Sequence, residues 1–266
     1  AGNDFVLIDA RGSGFALDAR RAARIADRRL GIGCDQILVL RDTAVPGCLL
    51  RYEIRNADGS AAAQCGNGAR CVGLYLELNG ETGDDSFRLE SPSGPVMLTR
   101  CDDGEYQVVM GVPDFDAASV CPDLPERDGC YQLESHWGTL DLATVSMGNP
   151  HALLLTDDVS SPSIPEMGAF ISTHPAFPEG CNAGFAQWIS PEQIRLRVVE
   201  RGAGETLACG SGACAAVAIL RRSGRVGDAV EVHLPGGRLV IKWRGNDEPL
   251  TMKGPAAHVV RGTMND

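Results

Sequence analysis

The stretch Cys65-Gly66-Asn67-Gly68-Ala69 decides the fold, because the chain repeats it in near-identical form at Cys209-Gly210-Ser211-Gly212-Ala213. Each copy directly precedes a run of small and apolar residues that predicts a helix, so each cysteine is expected at a helix start. Two other fragments recur in the same order and at nearly the same offset (209 − 65 = 144, 148 − 2 = 146, 180 − 33 = 147): Gly2-Asn3 at Gly148-Asn149, and Gly33-Cys34 at Gly180-Cys181. This order indicates an internal duplication. It predicts two like-folded halves that bring the two motif cysteines together at the cleft between them.

The pattern around the two motifs predicts an α/β chain in which each half wraps curved strands round its motif helix. The motif helices are predicted over Gly66–Leu78 and Gly210–Arg222, and they are apolar or small on most faces, which is typical of a helix surrounded by protein. Other predicted elements include strands Phe5–Asp9, Gln36–Leu40, Arg51–Arg55 and His258–Arg261, a helix Ala19–Leu30, and a Pro- and Asp-rich linker Pro113–Pro125.

Composition narrows the class of protein. The 266 residues are 44% hydrophobic and 22% charged, as in globular domains. The net charge of −11 disfavours nucleic acid or an anionic membrane as partner, so we expect a small molecule or another protein. Ten cysteines without a signal peptide favour reduced thiols in the cytoplasm, and their spacing disfavours a structural metal site. The chain begins at Ala1 without Met, inside a predicted strand, so we expect a few preceding residues to be missing.

Cysteine at a helix start suits acid–base chemistry. The positive end of the helix dipole and the unpaired N–H groups stabilise a thiolate, and the glycines of the motif let the backbone approach a ligand closely. The same N–H groups would bind a carboxylate. One thiolate and one thiol on opposite faces of an amino acid could remove its α-proton from one side and return a proton from the other, without a cofactor. A lone Cys before a glycine-rich turn is more often a small buried hydrophobe, but the duplication keeps Cys at both helix starts and favours chemistry.

Nine residues before each motif cysteine lies a polar residue at a predicted strand end, Asn56 in the first half and Glu200 in the second. Unlike groups at equivalent positions suggest a pseudosymmetric site for an asymmetric ligand. Arg201 could hold a carboxylate in two-pronged fashion, and Glu200 could accept from an ammonium group. An exposed Glu–Arg pair on a loop is the alternative. His151 is ambiguous, since only the repeat places its loop opposite Asn3.

Together these motifs resemble those of the diaminopimelate epimerase family over nearly the whole chain. The matching stretches are Gly2-Asn3-Asp4-Phe5, Asp35-Gln36, Asn56-Ala57-Asp58-Gly59, Cys65–Cys71, Gly148-Asn149-Pro150-His151, Glu200–Thr206, Ala208–Gly212 and Leu234–Gly237. The resemblance implies two pseudosymmetric α/β domains, each a mixed β-barrel around a central helix, with the active site in the interdomain cleft. It implies a first domain over 1–112, to which a C-terminal strand at 256–266 returns, and a second over 113–255.

The resemblance also implies the reaction and the residues that carry it: epimerisation of LL- to meso-diaminopimelate without a cofactor or metal, by a cytoplasmic homodimer. Cys65 and Cys209 would be the acid–base pair, supported by His151 and Glu200. The implied substrate-binding residues are Asn3, Gln36, Asn56, Gly66, Asn67, Asn149, Asn182, Glu200, Arg201, Gly210 and Ser211.

Other functions share parts of this pattern. Related two-cysteine enzymes racemise proline, hydroxyproline, histidine or other diamino acids, and the cysteine pair alone does not separate them. Asn56, Asn149, Asn182 and Arg201 together favour a substrate with a second amino-carboxylate group. A non-catalytic binder, or a redox switch in which the paired cysteines form a reversible disulfide, is the alternative from another class.

Overall fold

The computed structural model describes residues 2–62, 65–116, 120, 124–127 and 129–264. The helices in this part of the chain are α1 Ala19–Ala26, α2 Gly66–Leu78, α3 Ile164–Ser172 and α4 Gly210–Arg222. The strands up to the middle of the chain are β1 Phe5–Asp9, β2 Gln36–Arg41, β3 Cys48–Asn56, β4 Ala61–Ala62, β5 Ser86–Ser91, β6 Gly94–Arg100 and β7 Tyr106–Gly111. Those that follow are β8 Glu126–Arg127, β9 Cys130–Ser135, β10 Gly138–Ser146, β11 Pro150–Leu155, β12 Asn182–Ser190, β13 Gln193–Glu200, β14 Gly204–Thr206, β15 Ala229–Leu234, β16 Gly237–Lys242 and β17 Leu250–Gly254.

The chain divides into two compact units. The N-terminal unit contains Asn3–Val109 together with Lys253–Asp266, and the C-terminal unit contains Met110–Met252 together with Ala1–Gly2. The sequence-based division lies at 112/113 and 255/256. Part of the predicted linker, 117–119 and 121–123, lies outside the described residues.

The two units are built from the same succession of strand pairings. In the N-terminal unit β1 pairs with β2 in parallel, β2 with β3 antiparallel, β3 with β5 in parallel and β5 with β6 antiparallel. In the C-terminal unit β11, β12, β13, β15 and β16 repeat these four pairings in the same order. The first parallel pair even keeps its register, since Phe5 lies opposite Gln36 and His151 lies opposite Asn182 (151 − 5 = 146, 182 − 36 = 146). A duplication of one ancestral unit accounts for this agreement.

Helices α2 and α4 occupy equivalent places in this succession and are mostly buried. In α4, every residue from Gly212 to Leu220 is buried, and the helix contacts strands β10, β11, β12, β13 and β16 of the surrounding sheet. Small residues such as Ala215 and Ala216 let these strands approach the helix on several sides. The predicted bounds of both motif helices, Gly66–Leu78 and Gly210–Arg222, are confirmed.

The predicted helix Ala19–Leu30 is wrong at its C-terminal end, because α1 stops at Ala26. Asp27 takes an extended conformation, and its carboxylate accepts hydrogen bonds from the N–H groups of Arg29 and Leu30, both at 2.7 Å. This local turn competes with the helix for the same backbone donors. The helical pattern of Arg and Ala in the sequence extends beyond Ala26, so it did not reveal where the helix ends.

The strand predicted over 256–266, and at His258–Arg261 within it, is also wrong for the described residues. Residues 255–264 form no helix or strand there, and Val259 and Val260 are 90% and 76% exposed. The last strand instead ends at Gly254, directly before Pro255, which has no N–H group to continue a ladder. Residues 265–266 lie outside the described part of the chain.

Among the helices of the described residues, none is both long enough and apolar enough to span a bilayer.

Candidate active site

Both motif cysteines are the N-cap residues of their helices. Cys65 has extended backbone angles (φ −151°, ψ 98°), and its Sγ accepts a hydrogen bond of 3.2 Å from the N–H of Gly68. Cys209 repeats this arrangement (φ −116°, ψ 110°), and its Sγ accepts at 3.4 Å from the N–H of Gly212. The sulfur atom therefore does what a Ser or Asp oxygen does at an ordinary N-cap, in the positive end of the helix dipole.

The glycines at the third helical position allow the backbone to reach the sulfur. A Cβ at Gly68 would lie 3.0 Å from Leu38 Cδ2 and 3.4 Å from the sulfur of Cys65. At Gly212 it would lie 2.9 Å from Val198 Cγ2 and 3.3 Å from the sulfur of Cys209. Any side chain at either position would therefore press on the thiol or on the strand behind it.

Cys209 lies in an environment that keeps it protonated. The residue is 4% exposed, and burial raises the pKa of its thiol well above the usual range; the negative charge of Glu200 raises it further. Hydrogen bonds from Ser211 and from the N–H of Gly212 oppose this rise only in part. The hydroxyl of Thr206 in turn donates a hydrogen bond of 2.5 Å to Glu200 Oε1. This bond holds the carboxylate in place.

Cys65 is half-buried and has a different neighbour. Tyr52 on β3 is buried, and its pKa is raised first by burial and then by the charge of Cys65. The two cysteines thus share their helix-cap geometry but differ in the polar group beside them.

The polar residues predicted in the N-terminal unit lie in two hydrogen-bonded pairs. Asn67, the second residue of α2, donates through Nδ2 to Asn3 Oδ1. Gln36 donates through Nε2 to Asn56 Oδ1 at 2.9 Å, because the two residues are opposite each other in the β2–β3 ladder. Gly66 is the first residue of α2. The start of the motif helix thus contacts Asn3 through Asn67, and Gln36 contacts Asn56 across the β2–β3 ladder.

In the C-terminal unit, the helix start and two strand ends carry the predicted residues. Asn149 donates to Ser211 Oγ at 3.5 Å. Asn182 accepts at Oδ1 from the N–H of Arg201 at 3.0 Å. The guanidinium of Arg201 donates to the carbonyl of Glu179 at 2.5 Å, and its side chain is 46% exposed. Gly210 is the first residue of α4.

His151 lies inside the protein rather than at its surface. Its Nε2 is 3.0 Å from Asn149 Oδ1, and burial lowers the pKa of the imidazole to about 3. A neutral imidazole is therefore the form present at neutral pH, and its Nε2–H can donate to Asn149. The side chain can hold the amide of Asn149 in place, and it carries no charge that would repel an ammonium group.

Three neighbours of the site were missed by the sequence analysis. Thr206 hydrogen bonds to the carboxylate partner of Cys209, Arg70 hydrogen bonds to Asn67, and the charge of Cys65 helps to raise the pKa of Tyr52. Thr206 and Arg70 belong to the matching stretches Glu200–Thr206 and Cys65–Cys71. The sequence gives their positions there, but it does not give their contacts. Within the described residues, no group of three or more His, Cys, Asp or Glu side chains is arranged to hold a metal ion.

Comparisons with known proteins agree on one family. A family model described as diaminopimelate epimerase matches residues 1–115 and 143–259. A diaminopimelate epimerase of Xanthomonas axonopodis pv. citri is 46% identical over all of this chain and 94% of its own length. That of Xanthomonas euvesicatoria pv. vesicatoria is 45% identical over the same shares.

Solved structures with lower sequence identity share the fold. A hydroxyproline epimerase from Agrobacterium vitis has a TM-score of 0.65 at 19% identity, covering 88% of this chain and 76% of its own. A phenazine biosynthesis protein from Bacillus anthracis has a TM-score of 0.63 at 15% identity, covering 95% and 89%. The predicted α/β fold class is thereby confirmed.

Proposed function

The chain belongs to the diaminopimelate epimerase family, and from this premise we propose that Cys65 and Cys209 are the acid–base pair of its reaction. The enzyme is an isomerase of lysine biosynthesis that converts LL- to meso-diaminopimelate. The single observation that supports the pair best is their shared position. Each sulfur caps a helix and accepts an N–H from the third helical residue.

The proposed reaction needs one thiolate and one thiol. Because burial and Glu200 keep Cys209 protonated, Cys209 is the acid in the resting enzyme and Cys65 is the base. The Cys65 thiolate takes the α-proton of the substrate, and the electron pair left on the α-carbon delocalises into the adjacent carboxylate. Cys209 then delivers its S–H proton to the opposite face of that carbon, which inverts the centre. The roles of the two sulfur atoms are exchanged at the end of the step, and no other reactant is consumed.

The negative charge that develops on the reacting carboxylate has to be stabilised. We assign this to the N–H groups at the starts of α2 and α4, carried by Gly66-Asn67 and Gly210-Ser211. Such donors are fixed before the reaction begins, and donors of this kind supply a large part of the rate in many enzymes.

The distal amino-carboxylate group of the substrate gives the proposed site its specificity. In this proposal amide side chains, Arg201 and Glu200 bind a group that carries both charges, and His151 holds Asn149. Only a substrate with the correct far end would then place its α-carbon between the sulfur atoms. The proposed binding residues are Asn3, Gln36, Asn56, Asn67, Asn149, Asn182, Glu200, Arg201 and Ser211.

We further assign the enzyme to the cytoplasm and to a homodimer. The family's place in amino-acid biosynthesis and the ten cysteines of the chain support the first assignment. The second follows the resemblance to the family, and size-exclusion chromatography with light scattering tests it.

The test of the acid–base pair is proton NMR of LL-diaminopimelate in deuterium oxide. The wild-type enzyme is expected to remove the α-proton signal and to form the meso isomer, whereas proline in a parallel sample keeps its α-proton. Cys65→Ala and Cys209→Ala are expected to lower the epimerisation rate by about 10³-fold or more, since each removes an obligatory proton carrier. Near wild-type epimerisation by either variant would refute the two-base assignment.

A further inference from the structure

Arg70 of α2 is a buried cation inside the first motif, and it has no role in the proposed proton transfer. It is 1% exposed, which makes it one of the largest fully buried side chains among the described residues. Burying a guanidinium is costly unless its N–H groups are hydrogen-bonded. Such a residue calls for an explanation beyond packing.

The contacts of Arg70 connect it to the proposed binding residues of its own unit. Its Nη2 donates to Asn67 Oδ1 at 3.0 Å, one helical turn earlier, and its Nε lies 3.4 Å from the carbonyl oxygen of Pro255. Asn67 is itself 6% exposed and donates through Nδ2 to Asn3 Oδ1. Three side chains therefore form a continuous series of donors that starts at a buried positive charge.

The chemistry of arginine fixes the direction of this series. A guanidinium has five N–H donors and no acceptor, so the amide of Asn67 must present its oxygen to Arg70 and its NH₂ group away from it. The oxygen of Asn3 accepts from that NH₂ group, which leaves the NH₂ group of Asn3 as a donor as well. Without Arg70, either amide could turn over and present an oxygen instead.

We propose that Arg70 is a positioning residue that locks Asn67 and Asn3 as hydrogen-bond donors, so that this end of the site accepts a carboxylate of the substrate and rejects an amino group. The inference rests on the proposed binding role of Asn67. The Pro255 carbonyl accepts a second hydrogen bond from Arg70, through Nε, and so helps to hold the guanidinium in place.

A double-mutant cycle tests the inference on the full-length enzyme with LL-diaminopimelate. Arg70→Met is expected to lower kcat/KM by about 10- to 100-fold, mainly through KM, because a hydrogen bond from a charged group is lost. In an Asn67→Ala background the same change is expected to lower kcat/KM less than about threefold, since Arg70 then has no amide to orient. Equal effects in both backgrounds would overturn the inference and leave Arg70 a packing residue.

A second variant, Asn67→Asp, gives an independent readout if Arg70→Met fails to fold. Its carboxylate can still accept from Arg70 but presents no donor to Asn3 or to the substrate. Urea unfolding is therefore expected at or above the wild-type midpoint, with kcat/KM reduced by about 100-fold or more. Wild-type kcat/KM in this variant would overturn the inference.

The matched control is Arg261→Met. Arg261 is exposed and donates at 3.3 Å to Asn79, at the other end of α2, so its loss is expected to change kcat/KM less than about twofold. The binding role of Asn67 and the positioning role of Arg70 are tested separately. Unchanged kcat/KM in Asn67→Ala would refute the substrate-binding role of Asn67. Reduced kcat/KM in that variant, with equal Arg70→Met effects in both backgrounds, refutes only the role of Arg70.

Discussion

At the residue scale, the site depends on two buried titratable groups whose surroundings favour the neutral form. The imidazole of His151 is held neutral by burial, and the thiol of Cys209 is held protonated by burial and by Glu200. Both groups keep a fixed hydrogen-bonding pattern in the neutral form. For His151 the cost is lower stability in acid, and for Cys209 it is a less acidic thiol. Each effect can be measured by changing pH.

Stability is expected to fall in acid because of His151. Its pKa in the folded protein is about 3, below the value of about 6.5 in an unfolded chain. Between these values the unfolded chain binds one proton more, so the free energy of unfolding decreases as pH falls from about 6.5 toward 3, by up to about 1.4 kcal/mol per pH unit. Above pH 6.5 this contribution is fully present. His151→Gln is expected to show a shallower decline over the same range in urea unfolding.

The control for this experiment is His258→Gln, which changes an exposed histidine of the C-terminal segment. Its unfolding curves are expected to follow those of the wild type at each pH. An unchanged slope in His151→Gln would mean that the imidazole of His151 takes up a proton in the folded protein.

The pH dependence of the rate is expected to respond to Glu200. The negative charge of this residue raises the pKa of the Cys209 thiol, so Glu200→Gln lowers that pKa. Because Cys209 must carry its proton to act as the acid, the alkaline decline of kcat/KM is expected to move to lower pH. Glu192→Gln, which removes an exposed carboxylate between β12 and β13, serves as control. An alkaline limb that stays in place in Glu200→Gln would show that the two groups are not coupled.

At the scale of the element, each proposed catalytic cysteine is also a helix cap. Ordinary N-caps use Ser, Thr, Asp or Asn, as α1 does with Asp18, whose carboxylate accepts from the N–H of Arg21 at 2.7 Å. In α2 and α4 the cap is a sulfur atom, to which the proposed mechanism also gives the proton transfer. In that mechanism the structure of the helix start and the reaction depend on the same atom.

Replacing Cys65 separates these two roles. Cys65→Ser keeps an acceptor for the N–H of Gly68, whereas Cys65→Ala removes it and is expected to be less stable than the Ser variant by about 1 kcal/mol in urea unfolding. Both variants are expected to lose epimerisation, because neither side chain forms a thiolate. Asp18→Ala, the control, is expected to cost about 1 kcal/mol with full activity. Equal stabilities of Cys65→Ser and Cys65→Ala would show that the sulfur contributes nothing as a cap.

At the scale of the whole molecule, the internal repeat made most of the architecture predictable from the sequence. The motifs marked the starts of α2 and α4, and the apolar run after each predicted helix bounds that the structure confirms. The repeated pairing order follows from the same duplication. The end of α1 was missed because Asp27 hydrogen bonds within its own turn, a preference that a helical pattern of Arg and Ala does not reveal.

The rest of the site could not be read from the sequence because it depends on contacts between distant segments. Arg70 reaches the carbonyl of Pro255, and Tyr52 interacts electrostatically with Cys65, through long-range pairings that no local pattern encodes. His258–Arg261 has the composition of a strand, but Val259 and Val260 find no buried face to occupy. Local preference for a strand is outweighed where tertiary packing is absent.

Hydrogen exchange provides the last test, since it reports on the whole chain at once. The amides of 256–264 belong to no helix or ladder and are expected to exchange within seconds, whereas those of α4, buried from Gly212 to Leu220, are expected to exchange only when the C-terminal unit unfolds. The protection of β17, Leu250–Gly254, should end sharply at Pro255. Mass spectrometry of the deuterated peptides measures both. Protection across 256–264 as strong as that of β17 would mean that this segment does pair as a strand, as its sequence pattern predicted.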